Sequence, residues 1–266
     1  MIRDITLGQY YPAQSVLHRL DPRVKLAGTL IYVISLFLFQ SFTGYIVATA
    51  FLVSVIYLSR VPVGFMFRGL KAVFVLLIFT AVLNTLLTPG RELVSFWKIT
   101  ITIEGLRMAA FLVLRLVYLI LGSSVMTLTT TPSDLTDGLE KGLSWMKVFR
   151  IPVHEIAMMM SIALTFIPVL LEETDRIIKA QQARGADFDS GNLIRRVRAL
   201  VPILVPLFVS AFRRANDLAL AMEARCYRGG EGRTKLHPLR YKRRDAIAYA
   251  VLFIYLVLIV TVGFML

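Results

Sequence analysis

Cysteine is almost absent from this 266-residue sequence, in which Cys226 is the only one. A single thiol excludes a disulfide framework and a thiolate metal site within one chain. The three histidines, His18, His154 and His237, are scattered, whereas zinc needs three or four convergent ligands. The phosphate-binding pattern G-x-x-x-x-G-K-[ST] is also missing. We therefore expect this chain to hold no metal, no cofactor and no ATP of its own.

Acidic residues are scarce beside basic ones. The chain has 17 aspartates and glutamates against 30 lysines and arginines, which gives a formal net charge of +13. Such a charge is typical either of nucleic-acid binding or of the basic cytoplasmic loops of a membrane protein. The basic residues lie between apolar blocks, and 57% of the sequence is hydrophobic, against about 45–50% in a soluble domain. The pattern favours the lipid bilayer as partner and no nucleic acid.

Apolar segments divide the sequence into five predicted membrane-spanning helices. A span needs roughly 20 mostly apolar residues, and the uncharged stretch 26–59 is long enough for two spans separated by polar residues near 40–44. The five segments are 26–39, 45–59, 72–87, 108–128 and 246–266. Arg19, Arg23 and Lys25 precede the first segment, so the positive-inside rule places the N-terminus in the cytoplasm. The sequence predicts a multi-pass protein of the cell (cytoplasmic) membrane.

The stretch 129–243 has a different pattern. Its two apolar runs, 151–171 and 200–212, contain prolines and continue without a break into charged helical patterns. We interpret them as long kinked helices over 152–184 and 193–225, with apolar halves in or against the membrane bundle and charged ends in the cytoplasm. The predicted fold class is an all-α integral membrane protein. Its predicted regions are N-terminal membrane helices in 1–128, a cytoplasmic or interfacial helical domain in 129–243, and a C-terminal membrane helix in 244–266.

A shorter amphipathic helix precedes the two long ones. Thr131 is its predicted N-cap, and Pro132 suits its first helical position. Apolar residues then recur at helical spacing as far as Phe149. We expect this helix to lie along the membrane surface or to cap the long helices.

The two long helices end alike. The first closes with Q-A-R-G at 182–185 and the second with E-A-R-C at 223–226. The alanines let another backbone approach closely, and arginine pairs bidentately with carboxylates while staying charged. The repetition indicates two equivalent plugs, each inserted into a pocket on a partner. Ordinary C-terminal capping by a basic residue is the alternative that the residues leave open.

At these residues the sequence resembles the transmembrane T component of energy-coupling factor (ECF-type ABC) transporters, and more distantly the cobalt-transporter subunit CbiQ. The resemblance covers nearly the whole chain and rests on I-T-L-G-Q-Y at 5–10, H-R-L-D-P-R at 18–23, Q-Q-A-R-G at 181–185 and A-M-E-A-R-C-Y at 221–227. It implies a non-catalytic subunit of a vitamin or micronutrient importer. Its partners would be two cytosolic ABC-type ATPase subunits, one on each coupling helix, and a substrate-binding S component in the membrane. It implies ATPase-coupling roles for Ala183, Arg184, Gly185, Ala224, Arg225 and Cys226, the last of which replaces a family glycine.

Two other functions compete with this one. A self-sufficient secondary transporter or channel needs its own substrate path, with broken helices and several intramembrane polar groups. Arg115 and Asn84 are too few to form one. For Arg115, a structural pair with another helix is favoured over a contact with a partner. An intramembrane enzyme needs an acid, base, metal or nucleophile cluster, for which the sequence gives no support.

Overall fold

The computed structural model describes residues 10–39, 41–96, 99–186, 193–229 and 238–264. These residues form α-helices, with one 3-10 helix, Ser144–Phe149, and one hairpin of strands β1 (Glu92–Phe96) and β2 (Ile99–Thr102) between α3 and α4. The predicted all-α membrane class is confirmed. The α-helices are α1 (Pro22–Leu38), α2 (Phe42–Ser59), α3 (Val63–Leu87), α4 (Ile103–Thr129), α5 (Pro132–Gly142), α6 (Val153–Ala183), α7 (Leu193–Ala224) and α8 (Arg243–Phe264).

The described residues belong to two compact units. The bundle unit comprises residues 10–141 and 239–264, and thus α1 to α5, the hairpin and α8. The helix-pair unit comprises the described residues of 142–238, and thus the 3-10 helix, α6 and α7. The chain therefore enters and leaves the helix-pair unit between α5 and α8.

Several helices are long and apolar enough to cross a membrane. Phe42–Ser59, Ile103–Thr129, Val153–Ala183 and Arg243–Gly263 meet this criterion, and Val63–Lys71 with Val73–Leu87 gives a fifth as one span bent by 59°. The second to fifth predicted spans thus lie in α2, α3, α4 and α8. The first lies in α1, whose 17 residues rise about 25 Å, slightly less than the hydrocarbon core of about 30 Å. The chain is a multi-pass membrane protein.

The bundle unit is apolar inside and outside. In α2, Tyr45, Ala48 and Leu52 are buried at helical spacing, while Ile46 and Val53 on other faces are 68% and 58% exposed. A soluble helix would carry polar side chains on such exposed faces, so the outer surface suits lipid. The core itself is formed by α1, α2, α4 and α8, with Met66 of α3, through buried residues that include Tyr32, Leu36, Leu121, Val125, Tyr255 and Ile259.

A buried polar network joins the beginning of α1 to the end of α4 and the beginning of α8. Lys25, in the first turn of α1 and before the predicted first span, donates from Nζ to the backbone oxygen of Thr129 at 2.8 Å. The carboxylate of Asp245 accepts from the backbone N–H groups of Asp21 at 2.9 Å and Lys242 at 2.7 Å. Burial lowers the pKa of Lys25 to about 8, because a low dielectric disfavours the ammonium form. These bonds fix three helix ends together at one end of the bundle.

The amphipathic helix begins as predicted but ends earlier. Thr131 caps it, since its Oγ1 accepts from the backbone N–H of Asp134 at 3.1 Å. The α-helix stops at Gly142, however, and the chain continues as the 3-10 helix to Phe149. The prediction of one continuous helix to Phe149 was wrong, because apolar spacing does not reveal a change of helix type. Val148 and Phe149 are 84% and 69% exposed.

Candidate partner-binding helix ends

The end of α6 is a Schellman motif, a hydrogen-bonded helix terminus with one left-handed residue. The N–H of Gly185 donates to the carbonyl of Gln182, and the N–H of Ala186 to that of Gln181, both at 3.0 Å. Gly185 has φ +87°, a conformation that glycine adopts without steric cost. Arg184 is the C-cap, immediately before the chain turns away. The arginine is therefore the last long side chain at this end of the helix.

The end of α7 repeats this motif bond for bond. The N–H of Cys226 donates to the carbonyl of Glu223 at 2.8 Å, and the N–H of Tyr227 to that of Met222 at 3.0 Å. Cys226 has φ +54°, so it fills the left-handed position that glycine holds at the end of α6. A non-glycine residue pays roughly 1–2 kcal/mol for that conformation. Cys226 thus has the same backbone role as Gly185, and Arg225 occupies the place of Arg184.

Both arginines and the alanines before them are exposed. Among the described residues neither Arg184 nor Arg225 forms an ion pair or a side-chain hydrogen bond. An arginine that capped its helix through its side chain would donate to the free carbonyls of the last turn, and neither does. Ala183 and Ala224 leave the backbone beside each guanidinium uncovered. Each helix end therefore presents one unpaired guanidinium beside a small side chain.

Two side-chain contacts define how α6 and α7 pack. Arg214 Nη2 lies 3.5 Å from Glu173 Oε2, and Gln181 Nε2 donates to the carbonyl of Pro202 at 3.4 Å. From the first contact to the second, the residue number rises in α6 and falls in α7. The two helices are therefore antiparallel where they cross. Their C-terminal ends, with the two arginines, consequently point away from each other.

The ion pair lies at the centre of the repetition. Glu173 precedes Arg184 by eleven residues, and Arg214 precedes Arg225 by eleven, or about 16 Å of helix in each case. Equivalent positions of the two helices thus contact each other. Sequence reasoning missed this pair, although the offset of 41 residues between the two arginines also relates Glu173 to Arg214.

One face of α7 is exposed and apolar. Val201, Val205, Phe208 and Phe212 are between 50% and 68% exposed at near four-residue spacing. Side chains four residues apart lie on one side of a helix. This face, the α7 stripe, is suited to contact lipid or another membrane protein.

Both intramembrane polar residues have structural partners, although the Nε of Arg115 is buried with no acceptor in the described part of the chain. Arg115 Nη2 donates to the backbone oxygen of Phe39 at 3.3 Å, and its guanidinium carbon lies 5.2 Å from the ring centroid of Phe37. Asn84 Nδ2 donates to the carbonyl of Thr80, one turn earlier in α3, at 2.9 Å. Across the described residues no group of three His, Cys, Asp or Glu side chains is placed to hold a metal ion. The contacts of Arg115 and Asn84 favour helix packing over a substrate path.

Comparison with known proteins agrees with the resemblance seen in the sequence. The family model described as cobalt transport protein, CbiQ, matches residues 13–236. Three relatives described as energy-coupling factor transporter transmembrane protein EcfT are those of Clostridium kluyveri (55% identical over 250 residues, 93% of each chain), Thermosediminibacter oceani (51% over 248 residues, 93% of this chain and 94% of the relative) and Lactococcus lactis subsp. cremoris (41% over 260 residues, 97% and 98%). The chain belongs to the CbiQ family, and within it to the EcfT transmembrane proteins of energy-coupling factor transporters.

Proposed function

We propose that this chain couples two cytosolic ATPase subunits to a substrate-binding membrane subunit in a vitamin or micronutrient importer. Arg184 and Arg225 each dock into one ATPase. The observation that supports this most strongly is the pair of helix ends with the same hydrogen bonds and the same exposed, unpaired arginine. Hydrolysis itself belongs to the partners, since the sequence lacks a phosphate-binding loop.

The chemistry of each end suits a groove that carries carboxylates. A guanidinium forms two parallel, charge-assisted hydrogen bonds to a carboxylate and remains charged at any physiological pH. Ala183 and Ala224 allow the groove wall to approach the helix backbone. Gly185 and Cys226 turn the chain aside directly after the arginine, so no following helical turn obstructs insertion.

The crossing of α6 and α7 constrains their orientation in the membrane. If the pair stood across the bilayer, Arg184 and Arg225 would lie on opposite sides, because the helices run in opposite directions. Two cytosolic ATPases require both arginines on one side. We therefore propose that the pair lies along the cytoplasmic surface, that α6 does not cross, and that the N-terminus is cytoplasmic, as the basic residues before α1 predict.

The α7 stripe supplies the second contact of the proposal. A substrate-binding S component in the same bilayer would pack on this apolar face, while the arginines hold the ATPases. Movement of the ATPases would then shift α6 and α7 and tilt the S component. The substrate is selected by that component, so this chain contributes no specificity residue.

Co-purification with the ATPase subunits tests the arginine plugs. Arg184→Glu combined with Arg225→Glu should abolish capture, because each reversal brings two like charges together in the groove. Lys179→Glu combined with Arg228→Glu is the matched control. It changes charge equally at exposed residues near the same helix ends, and capture should persist.

Intact capture by the Arg184→Glu, Arg225→Glu chain would overturn the plug proposal. A separate measurement distinguishes the competing function of a self-sufficient secondary transporter or channel. The purified chain alone in liposomes should not move substrate, and uptake by the chain alone would contradict the coupling role.

A further inference from the structure

A cavity opens within the bundle unit, between α1, α2, α4 and α8. Its volume is about 240 Å³, below the roughly 300–1,000 Å³ of sites for drug-sized molecules. The wall is almost wholly apolar and includes Val24, Phe51, Leu52, Val125 and Val251. A space of this size and lining suits a segment of hydrocarbon chain.

Cations lie at one end of this cavity only. Lys25 and Arg244 line it, both in first turns of their helices. Thr129, the last residue of α4, and Leu58, near the end of α2, lie at the same end. The cavity thus begins at the basic end of the bundle and continues between apolar helices toward the middle.

The two cations retain hydrogen-bonding capacity. The Nε of Arg244 is buried and finds no acceptor among the described residues. Lys25 donates to the backbone oxygens of Thr129 at 2.8 Å and His18 at 3.4 Å, which leaves one of its three ammonium protons free. Of the acids near these cations, Asp21 pairs with Arg23 at 3.0 Å and Asp245 accepts from backbone N–H groups. Asp134 attracts the Lys25 ammonium, but the two form no ion pair in the described part of the chain. An unpaired buried donor is costly. Because Arg244, unlike Arg115, lines this cavity, its free Nε points to an anionic ligand at this end.

We propose that this cavity binds one anionic phospholipid, with an acyl chain between α1, α2, α4 and α8 and the phosphate on Arg244 and Lys25. A guanidinium fork matches a phosphate bidentately. Basic pockets between membrane helices on the cytoplasmic side are suited to anionic headgroups. The exposed rim residues Val16, Ile247 and Val251 give the acyl chain a lateral entry from the bilayer.

Native mass spectrometry of the full chain in detergent tests the site with phosphatidylglycerol and with phosphatidylcholine of the same acyl chains. The unmodified chain should bind phosphatidylglycerol more tightly than phosphatidylcholine, on the order of tenfold, as expected for a hydrogen-bonded charge pair. Arg244→Gln should abolish that preference, whereas Arg244→Lys should keep part of it. Arg243→Gln is the matched control, because this neighbouring arginine is exposed and does not line the cavity.

A second pair of variants tests the apolar part. Val251→Trp should fill the cavity mouth and lower the binding of both lipids severalfold, while Phe253→Trp, on an exposed residue of α8 outside the lining, should not.

Unchanged lipid binding in Arg244→Gln or in Val251→Trp, each with an unaltered melting temperature, would overturn the proposal. So would displacement of phosphatidylglycerol by equimolar inorganic phosphate, which indicates a free-anion site. Loss of S-component capture in Val251→Trp with lipid binding intact would identify the cavity as a protein contact and likewise overturn it.

Discussion

Glu173 and Arg214 form an ion pair at 3.5 Å and occupy equivalent positions, each eleven residues before the arginine that ends its helix. Two copies of one helical pattern thus meet at their corresponding residues and run in opposite directions. Together with the bond from Gln181 to Pro202, the pair helps to hold Arg184 and Arg225 in their relative positions. In the proposed complex it sets the separation of the two ATPase docking points.

Reversal of one charge in the Glu173–Arg214 pair should weaken the coupling of ATP hydrolysis to substrate uptake, and exchange of both charges should restore it. Glu173→Arg places two cations together, and the added Arg214→Glu recreates the attraction with opposite polarity. The direct loss of stability should be at most about 1 kcal/mol, because both side chains are partly exposed. ATP-driven uptake by the reconstituted complex is the readout. Glu172→Arg, on an exposed neighbour, is the control and should leave uptake near that of the unmodified chain.

The left-handed residues at the two helix ends should respond oppositely to substitution. Cys226→Gly should raise the free energy of unfolding by up to about 1 kcal/mol, since glycine removes the steric cost at φ +54°. Gly185→Ala should lower it by a similar amount, because a β-carbon is unfavourable at φ +87°. Thermal melting of the purified chain measures both. Equal effects of the same sign would contradict the equivalence of the two ends.

The repetition of the two ends was predictable from sequence, and so were both long helices within one residue at each end. Prolines, charge and the A-R pattern carry that information locally. The contact of Glu173 with Arg214 was not predictable in the same way, because it depends on the direction in which α7 crosses α6. The Schellman geometry at Cys226 was also missed, since cysteine carries no preference for positive φ. Whether the ends bind ATPases remains a prediction that rests on the resemblance and on their exposed arginines.

Stability should rise with pH in a narrow alkaline window because of Lys25. Its folded pKa is about 8 and its ordinary value is 10.5, so between these values the unfolded chain holds a proton that the folded chain has lost. The free energy of unfolding therefore increases with pH there and is insensitive to Lys25 below about pH 7. Melting temperatures of the unmodified chain should rise from pH 7.5 to 9.5 relative to Lys25→Met. Lys179→Met, a substitution of an exposed lysine, should show the same rise in melting temperature as the unmodified chain. If the rise were lost in Lys179→Met as well as in Lys25→Met, it would not be specific to Lys25.

Close packing of α4 on α1 depends on Gly122. A β-carbon at this position would overlap the ring of Tyr32, which belongs to the buried core. Gly122→Ala should therefore cost roughly 1–3 kcal/mol, the usual range for overpacking. Gly64→Ala in α3 is the control, since its β-carbon would meet nothing within 4 Å, and alanine favours a helix. A melting temperature of Gly122→Ala equal to that of Gly64→Ala would show that α1 and α4 are not packed as described.

The most direct test of the coupling role is the number of ATPase subunits bound by single variants. The purified full chain, mixed with both ATPase subunits and weighed as a complex by native mass spectrometry, should carry two. Arg184→Glu alone and Arg225→Glu alone should each carry one ATPase subunit, and the double variant should carry none. Two subunits retained by the double variant would contradict the account.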